Sequence, residues 1–152
     1  MNRVLHTMGL GSRSLETILE ALLLARTARV VDIRRYGSSA RHPHHEAGAL
    51  HGALAERGIE VHDLGALLGG DRPGGFERYM ESAGFRRGLE RLEALAAGAP
   101  VMLLCAERDP ARCHRRFLAA ALAERGWTVA DLVFTPSEQP VRRHLRLVRK
   151  TG

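Results

Sequence analysis

Cysteine, lysine and long apolar runs are scarce in this chain, and each scarcity excludes something. Only two cysteines occur, Cys105 and Cys113. Two are too few for a disulfide framework, and in a reducing compartment both are thiols. No apolar run approaches the roughly 18 residues that span a bilayer, so no membrane partner is expected. The first residues, Met1-Asn2-Arg3-Val4-Leu5-His6, lead straight into a strand-like segment. They lack the apolar stretch and small-residue cleavage site of a secretion signal, and a cytoplasmic location is expected. Lys150 is the only lysine among 23 basic residues. A bias toward arginine and alanine follows genome composition, so arginine richness alone argues little for a nucleic-acid ligand.

What is present fits one ordinary α/β domain. The chain has 152 residues, 45% of them apolar, enough for a real core. The formal charge is +6. From Ser137 to Gly152, Arg142, Arg143, Arg146, Arg149 and Lys150 face only Glu138, so about +4 of that charge sits in the tail. We therefore divide the chain into an α/β domain over 1–135 and a basic tail over 136–152.

Strand-like and helical patterns alternate, the mark of βαβ units and a parallel sheet. Strands are expected at Arg3–Met8, Val30–Ile33, Ile59–Asp63, Val101–Cys105 and Trp127–Phe134. Leu15, Ile18, Leu19, Leu22 and Leu23 recur at helical spacing behind a Ser12 or Ser14 cap. Glu46–Arg57 reads as a helix stopped by Gly58. Phe76–Ala97 reads as one or two helices broken near Gly84. The last helix is expected to open at Asp109-Pro110, a favoured N-cap and N1 pair. The expected architecture is a single Rossmann-like three-layer domain around a mostly parallel five-stranded sheet of order 3-2-1-4-5. Such sheets bind ligands beyond the carboxyl ends of the strands where the order reverses, here between strands 1 and 4. Thr7 and Gly9, Asp32, Arg34 and Arg35, Cys105 and Glu107, and then Cys113, His114 and Arg115 would converge there.

The stretch from Cys105 to Arg115 is the densest chemical cluster. A thiol at the end of strand 4 would face a helix N-terminus, whose partial positive charge favours the thiolate. That is what a nucleophile needs. Glu107 and His114 are candidate acid–base groups. The bland alternatives are packing for both cysteines and a helix-terminus role for His114. A metal site would need Cys-x7-Cys-His completed by His6, His42, His44 or His45, which is no standard zinc spacing; no metal and no cofactor are expected. In Asp32-Ile33-Arg34-Arg35 one arginine is expected to hold an anion bidentately, unless Asp32 pairs with an arginine and merely closes the sheet top. His42-Pro43-His44-His45 lies on an expected loop. The glycine stretch around Asp71 is a candidate lid, but not a P-loop, because no Gly-Lys-Ser/Thr follows.

The series Thr7-Met8-Gly9, Ser12-Arg13, Val31-Asp32-Ile33-Arg34-Arg35, Gly58-Ile59, Leu68-Gly69-Gly70, Tyr79-Met80, Cys105-Ala106-Glu107 and Cys113-His114-Arg115 resembles the DUF488 family of bacterial and archaeal proteins, to about Val133. The resemblance implies one Rossmann-like domain and says nothing definite about activity. Two departures stand out. Relatives usually carry histidine where this chain has Leu10; if that histidine is catalytic in relatives, this chain has lost it or replaced it with another group such as His6. The loop from Tyr36 to Pro43 also differs from the proline-, serine-, arginine- and asparagine-rich pattern of relatives.

The leading expectation is an enzyme acting on an anionic substrate: a nucleotide, a nucleic-acid base or a phosphorylated metabolite. It would be a thiol-dependent hydrolase, transferase or glycosylase-like enzyme. Cys105, Glu107 and His114 would be catalytic. Thr7, Gly9, Asp32, Arg34, Arg35, Cys113 and Arg115 would bind the anion. The alternatives are a nucleic-acid-binding module without catalysis, its tail on phosphates, and a metal-binding or redox-sensing protein.

Overall fold

The computed structural model describes residues 3–37, 39, 41–107 and 113–132, and the backbone of 145–147. Strands alternate with helices as the βαβ pattern requires. The order is β1 (Val4–Gly9), α1 (Leu15–Leu24), β2 (Arg29–Asp32), α2 (Ala47–Glu56), β3 (Glu60–Asp63), then the short α3 (Gly65–Leu68) and α4 (Phe76–Tyr79). There follow α5 (Ala83–Gly98), β4 (Val101–Cys105), α6 (Arg115–Glu124), β5 (Thr128–Leu132) and β6 (Leu145–Leu147). No helix among the described residues is long and apolar enough to cross a membrane.

The fold is mixed α/β, its sheet built of five parallel strands with β6 added antiparallel to β5. The strand order is β3-β2-β4-β1-β5-β6, so the expected 3-2-1-4-5 is wrong in the middle. β4, not β1, lies against β2. Both are short apolar strands, and the lengths of their connections do not say which one sits outside. The correction brings β4 between the exits of β1 and β2. Gly9 stands beside Cys105 in register, Leu10 N–H donates to Cys105 O at 2.8 Å, and Ile33 N–H donates to Leu104 O at 2.9 Å. The end of β4 is thus held from both sides.

Side chains of a strand alternate between faces, and β4 shows it. Met102 and Leu104 join Ile18, Ala21, Leu22, Leu50 and Leu54 of α1 and α2 in one core. Val101, Leu103 and Cys105 join Phe85, Leu89 and Leu92 of α5 and Leu118, Ala119 and Leu122 of α6 in the other. Burial of β4 on both faces is why it reads as a continuous apolar run.

Helix boundaries depart from expectation in three places. Ser14 caps α1, its Oγ accepting from Thr17 N, but Leu23 is exposed and Ala21 takes its place in the core. The break in the fourth helical stretch falls at Met80–Ser82, because Ser82 Oγ accepts from Phe85 N and starts α5 there. α6 starts at Arg115, with His114 at its N-cap, so Cys113 and His114 precede the helix. The Asp109-Pro110 cap lies outside the described residues, as do Arg142, Arg143, Arg149 and Lys150 of the tail.

Candidate active site

The carboxyl end of β4 carries a buried sulfur pair. Cys105 Sγ lies 3.1 Å from Cys113 Sγ, within hydrogen-bond reach. Arg115, only 2% exposed, donates from Nη1 to Cys105 Sγ at 2.6 Å and to the Glu107 carbonyl. Its Nη2 is 3.3 Å from Asp131 Oδ1 on β5, and Thr7 Oγ1 on β1 donates to the same oxygen at 2.6 Å. Three neighbouring strands therefore converge on one guanidinium. Burial opposes its charge, but Cys105 and Asp131 outweigh that and hold Arg115 above its ordinary pKa.

The two sulfurs divide their roles. Cys113 Sγ accepts the α6 amide of Arg115 at 3.4 Å and faces His114 Nδ1 at 3.7 Å. The hydrogen bond from Cys105, helped by those donors, pushes Cys113 down to about 4. Burial, and then the Cys113 sulfur, push Cys105 well above its ordinary value. The pair thus carries one proton and one negative charge at neutral pH. Sequence reasoning aimed Cys105 at the helix N-terminus. Because α6 begins at Arg115, with His114 at the N-cap position, it is Cys113 whose sulfur meets the first amide of that helix.

A cavity of about 390 Å³ opens over the pair, lined by both cysteines, Arg35, Asp71, Glu107 and His114 among others. Glu107 is exposed at its mouth. The His114 ring packs at 5.0 Å from Phe76, and its Nε2 is buried with no partner among the described residues. Gly70 lies so close that a Cβ there would sit 3.1 Å from His114 Nδ1. Arg35 lines the cavity while donating to the Asp71 carbonyl.

The β2 residues are used differently. Arg34 forks onto Asp32, Nε to Oδ1 at 3.0 Å and Nη2 to Oδ2 at 2.8 Å, and Nη1 donates to His45 O at 2.6 Å. His51 Nε2 adds a bond to Asp32 Oδ2 at 2.8 Å. Burial would raise Asp32, yet the Arg34 bonds and charge outweigh it and hold the carboxyl below its ordinary range. Of the two open readings of this segment, the structure has Asp32 paired and Arg34 engaged at the sheet top. Gly9 contributes only its carbonyl, which accepts from Arg13 Nη1 at 2.8 Å.

A second cavity of about 280 Å³ adjoins the first across Arg34, Tyr36 and Ala106, which line both. Leu10 lines it beside His42 and His45. His42 and His45 reach this wall from the segment after β2, whereas His6 lies in the middle of β1. His44 and His45 both donate from Nε2 to the Arg13 carbonyl, at 2.9 and 2.7 Å. Among the described residues no three His, Cys, Asp or Glu side chains are disposed to hold a metal ion. A larger hollow of about 600 Å³ runs along α2 and β3, remote from the sulfurs.

Sequence reasoning missed Asp131, Arg13, Tyr36 and His51. Asp131 had a signal: a lone acid in an apolar strand needs a buried partner. Arg13 is buried, and nothing in its local pattern says so.

The family model described as "Domain of unknown function DUF488" matches residues 14–122. No curated protein and no solved structure matches the chain.

Proposed function

From the premise that the chain belongs to the DUF488 family, whose description assigns no activity, we propose that it is a thiol-dependent enzyme acting on an anionic substrate, with Cys113 as nucleophile. The observation that carries this is the sulfur pair 3.1 Å apart, with Arg115 against it, at the base of an open cavity. A thiolate held at neutral pH beside a fixed cation is the activated form of a cysteine nucleophile. Cys105 acts as its hydrogen-bond donor, which reverses the roles first expected of the two cysteines. Arg115 is a positioning residue, and Arg35 is the cationic group that lines the cavity. Thr7, Gly9, Asp32 and Arg34 support the frame. The Rossmann-like reading of the fold belongs to this proposal, since such folds place ligands at these strand ends.

In the reaction Cys113 forms a bond to the electrophilic centre. The leaving group departs with the bonding electrons and a proton passed to it by His114. Water then cleaves the thio-adduct and returns the proton to His114 and the thiolate to Cys113. Glu107 at the mouth can relay protons from solvent.

Labelling native protein with iodoacetamide at pH 7 and mapping the modified peptides tests the assignment. Cys113 is expected to react first, and Cys105→Ala should slow it at least about tenfold at pH 6, as loss of the donor that stabilises the thiolate does. First reaction at Cys105, or none at either thiol, refutes it. The same sulfur distance favours a second reading, a dithiol–disulfide couple. A hydroperoxide would oxidise Cys113 to the sulfenic acid, and Cys105 would then close the disulfide with loss of water. Intact mass showing loss of two hydrogens, absent in either single Cys→Ser variant, identifies that couple.

A further inference from the structure

The second cavity is unlike the first in charge. Asp71 and Glu107 line the first, whereas no acidic side chain lines the second among the described residues. Arg41, His42 and His45 line it, with Ser39 beside them. Arg41 is exposed and has no carboxylate partner among the described residues. Such a cation at a concave wall is free to hold a phosphate bidentately.

Tyr36 stands in the wall common to both cavities, and is 61% exposed. Among the described residues the other exposed large apolar side chains are Leu23 and Leu24 on α1. One flank of the Tyr36 ring carries the Arg35 guanidinium at 5.5 Å. An exposed aromatic ring between two cavities, backed by a cation, is a stacking platform for a planar ring.

We propose that the second cavity is the phosphate subsite of the enzyme, and that the substrate is nucleotide-like: its phosphate against Arg41 and His42, its base on Tyr36, its reacting group over Cys113. The idea deepens the anionic-substrate reading and rests on it. A free nucleotide and a single nucleic-acid strand share this chemistry. Together the cavities have the size of small-ligand sites, about 300 Å³ and upward.

Titration calorimetry on the full chain tests it with four probes: inorganic phosphate, adenosine, adenosine 5′-monophosphate and a single-stranded hexadeoxynucleotide. Arg41→Gln and Tyr36→Leu are the variants, both at exposed positions that leave the core intact. Arg41→Gln should weaken the phosphorylated probes about tenfold and leave adenosine unchanged. Tyr36→Leu should weaken the mononucleotide at least about fivefold, as loss of one stacked base does, and leave phosphate unchanged. Tighter hexanucleotide than mononucleotide binding, sensitive to both variants, supports a strand as the source; the reverse supports a free nucleotide. No binding of any phosphorylated probe at about 1 mM, the weak end of useful affinities, or wild-type binding by both variants, overturns the inference. No thiol chemistry enters this readout. Nucleotide binding with unactivated thiols would therefore remove the nucleophile reading alone, and an activated Cys113 without nucleotide binding would remove this inference alone.

Discussion

Replacing Arg115 by methionine should damage stability and thiol chemistry together. The guanidinium is buried, bonded to Cys105 Sγ at 2.6 Å and to the Glu107 carbonyl, and 3.3 Å from Asp131 Oδ1. Methionine fills much of the volume but takes the guanidinium away from Asp131 and the sulfur pair. Breaking a buried ion pair by removing one partner costs about 3–5 kcal/mol, a large part of the ~5–15 kcal/mol of a typical domain. The cost should fall in the double variant Arg115→Met/Asp131→Asn, because the group that faced the guanidinium is then neutral. Thr7, which donates to Asp131 at 2.6 Å, can still donate to the amide oxygen of the substituted side chain. Urea unfolding followed by circular dichroism gives the stabilities, and the double-mutant cycle gives the coupling, expected above about 1 kcal/mol for groups in contact. Loss of the cation should also raise the pH at which Cys113 becomes reactive. A cost below about 1 kcal/mol, or additive single variants, would refute the reading of Arg115 as the charge anchor of the site.

Other perturbations report on other parts of the frame. Asp32 is held below its ordinary range by Arg34, so its contribution is complete above the unfolded carboxyl value of about 3.9 and is lost as pH falls through the lower folded value. Thermal melts of Asp32→Asn across the acid range, about pH 2 to 6, should show a weaker acid dependence than wild type; parallel curves would contradict this. Gly65→Ala would put a Cβ 1.9 Å from Arg34 O, and a cost of about 1–3 kcal/mol, read from urea unfolding, is expected from overpacking. Gly70→Ala crowds His114 instead. It should slow alkylation of Cys113 severalfold with less than about 1 kcal/mol of stability lost, whereas an unchanged rate would mean that the ring position does not matter.

Much of the frame was legible because its signals are local. β4 falls at Val101–Cys105 as expected, since a short apolar run between Pro100 and a polar segment has few other uses. The other parallel strands fall within a residue or two at the ends given by described residues. Strand order was not legible. β1 and β4 look alike as short apolar strands, and only the distant pairing of Val31 with Leu103 says which neighbours β2. The site followed the same division. Cys105, Glu107, Cys113 and His114 share one cavity wall, as their crowding in sequence suggested. Arg34, read as a candidate anion clamp, is engaged by Asp32 and His45 O. Which arginine pairs with which acid depends on tertiary distances that spacing does not contain. The shift of the thiolate from Cys105 to Cys113 has the same origin: it rests first on the Cys105 hydrogen bond, then on His114 and the Arg115 amide, contacts that spacing does not contain.

The central claim is that Cys113 is a thiolate at neutral pH while its partner is not. The direct measurement is the alkylation rate of each cysteine against pH in native protein, resolved by mass spectrometry of the labelled peptides. Cys113 should react at a rate nearly level above about pH 6, falling only toward its value of about 4, with Cys105 slow throughout. Two thiols whose rates both climb toward an ordinary value of about 8.5 would contradict the account.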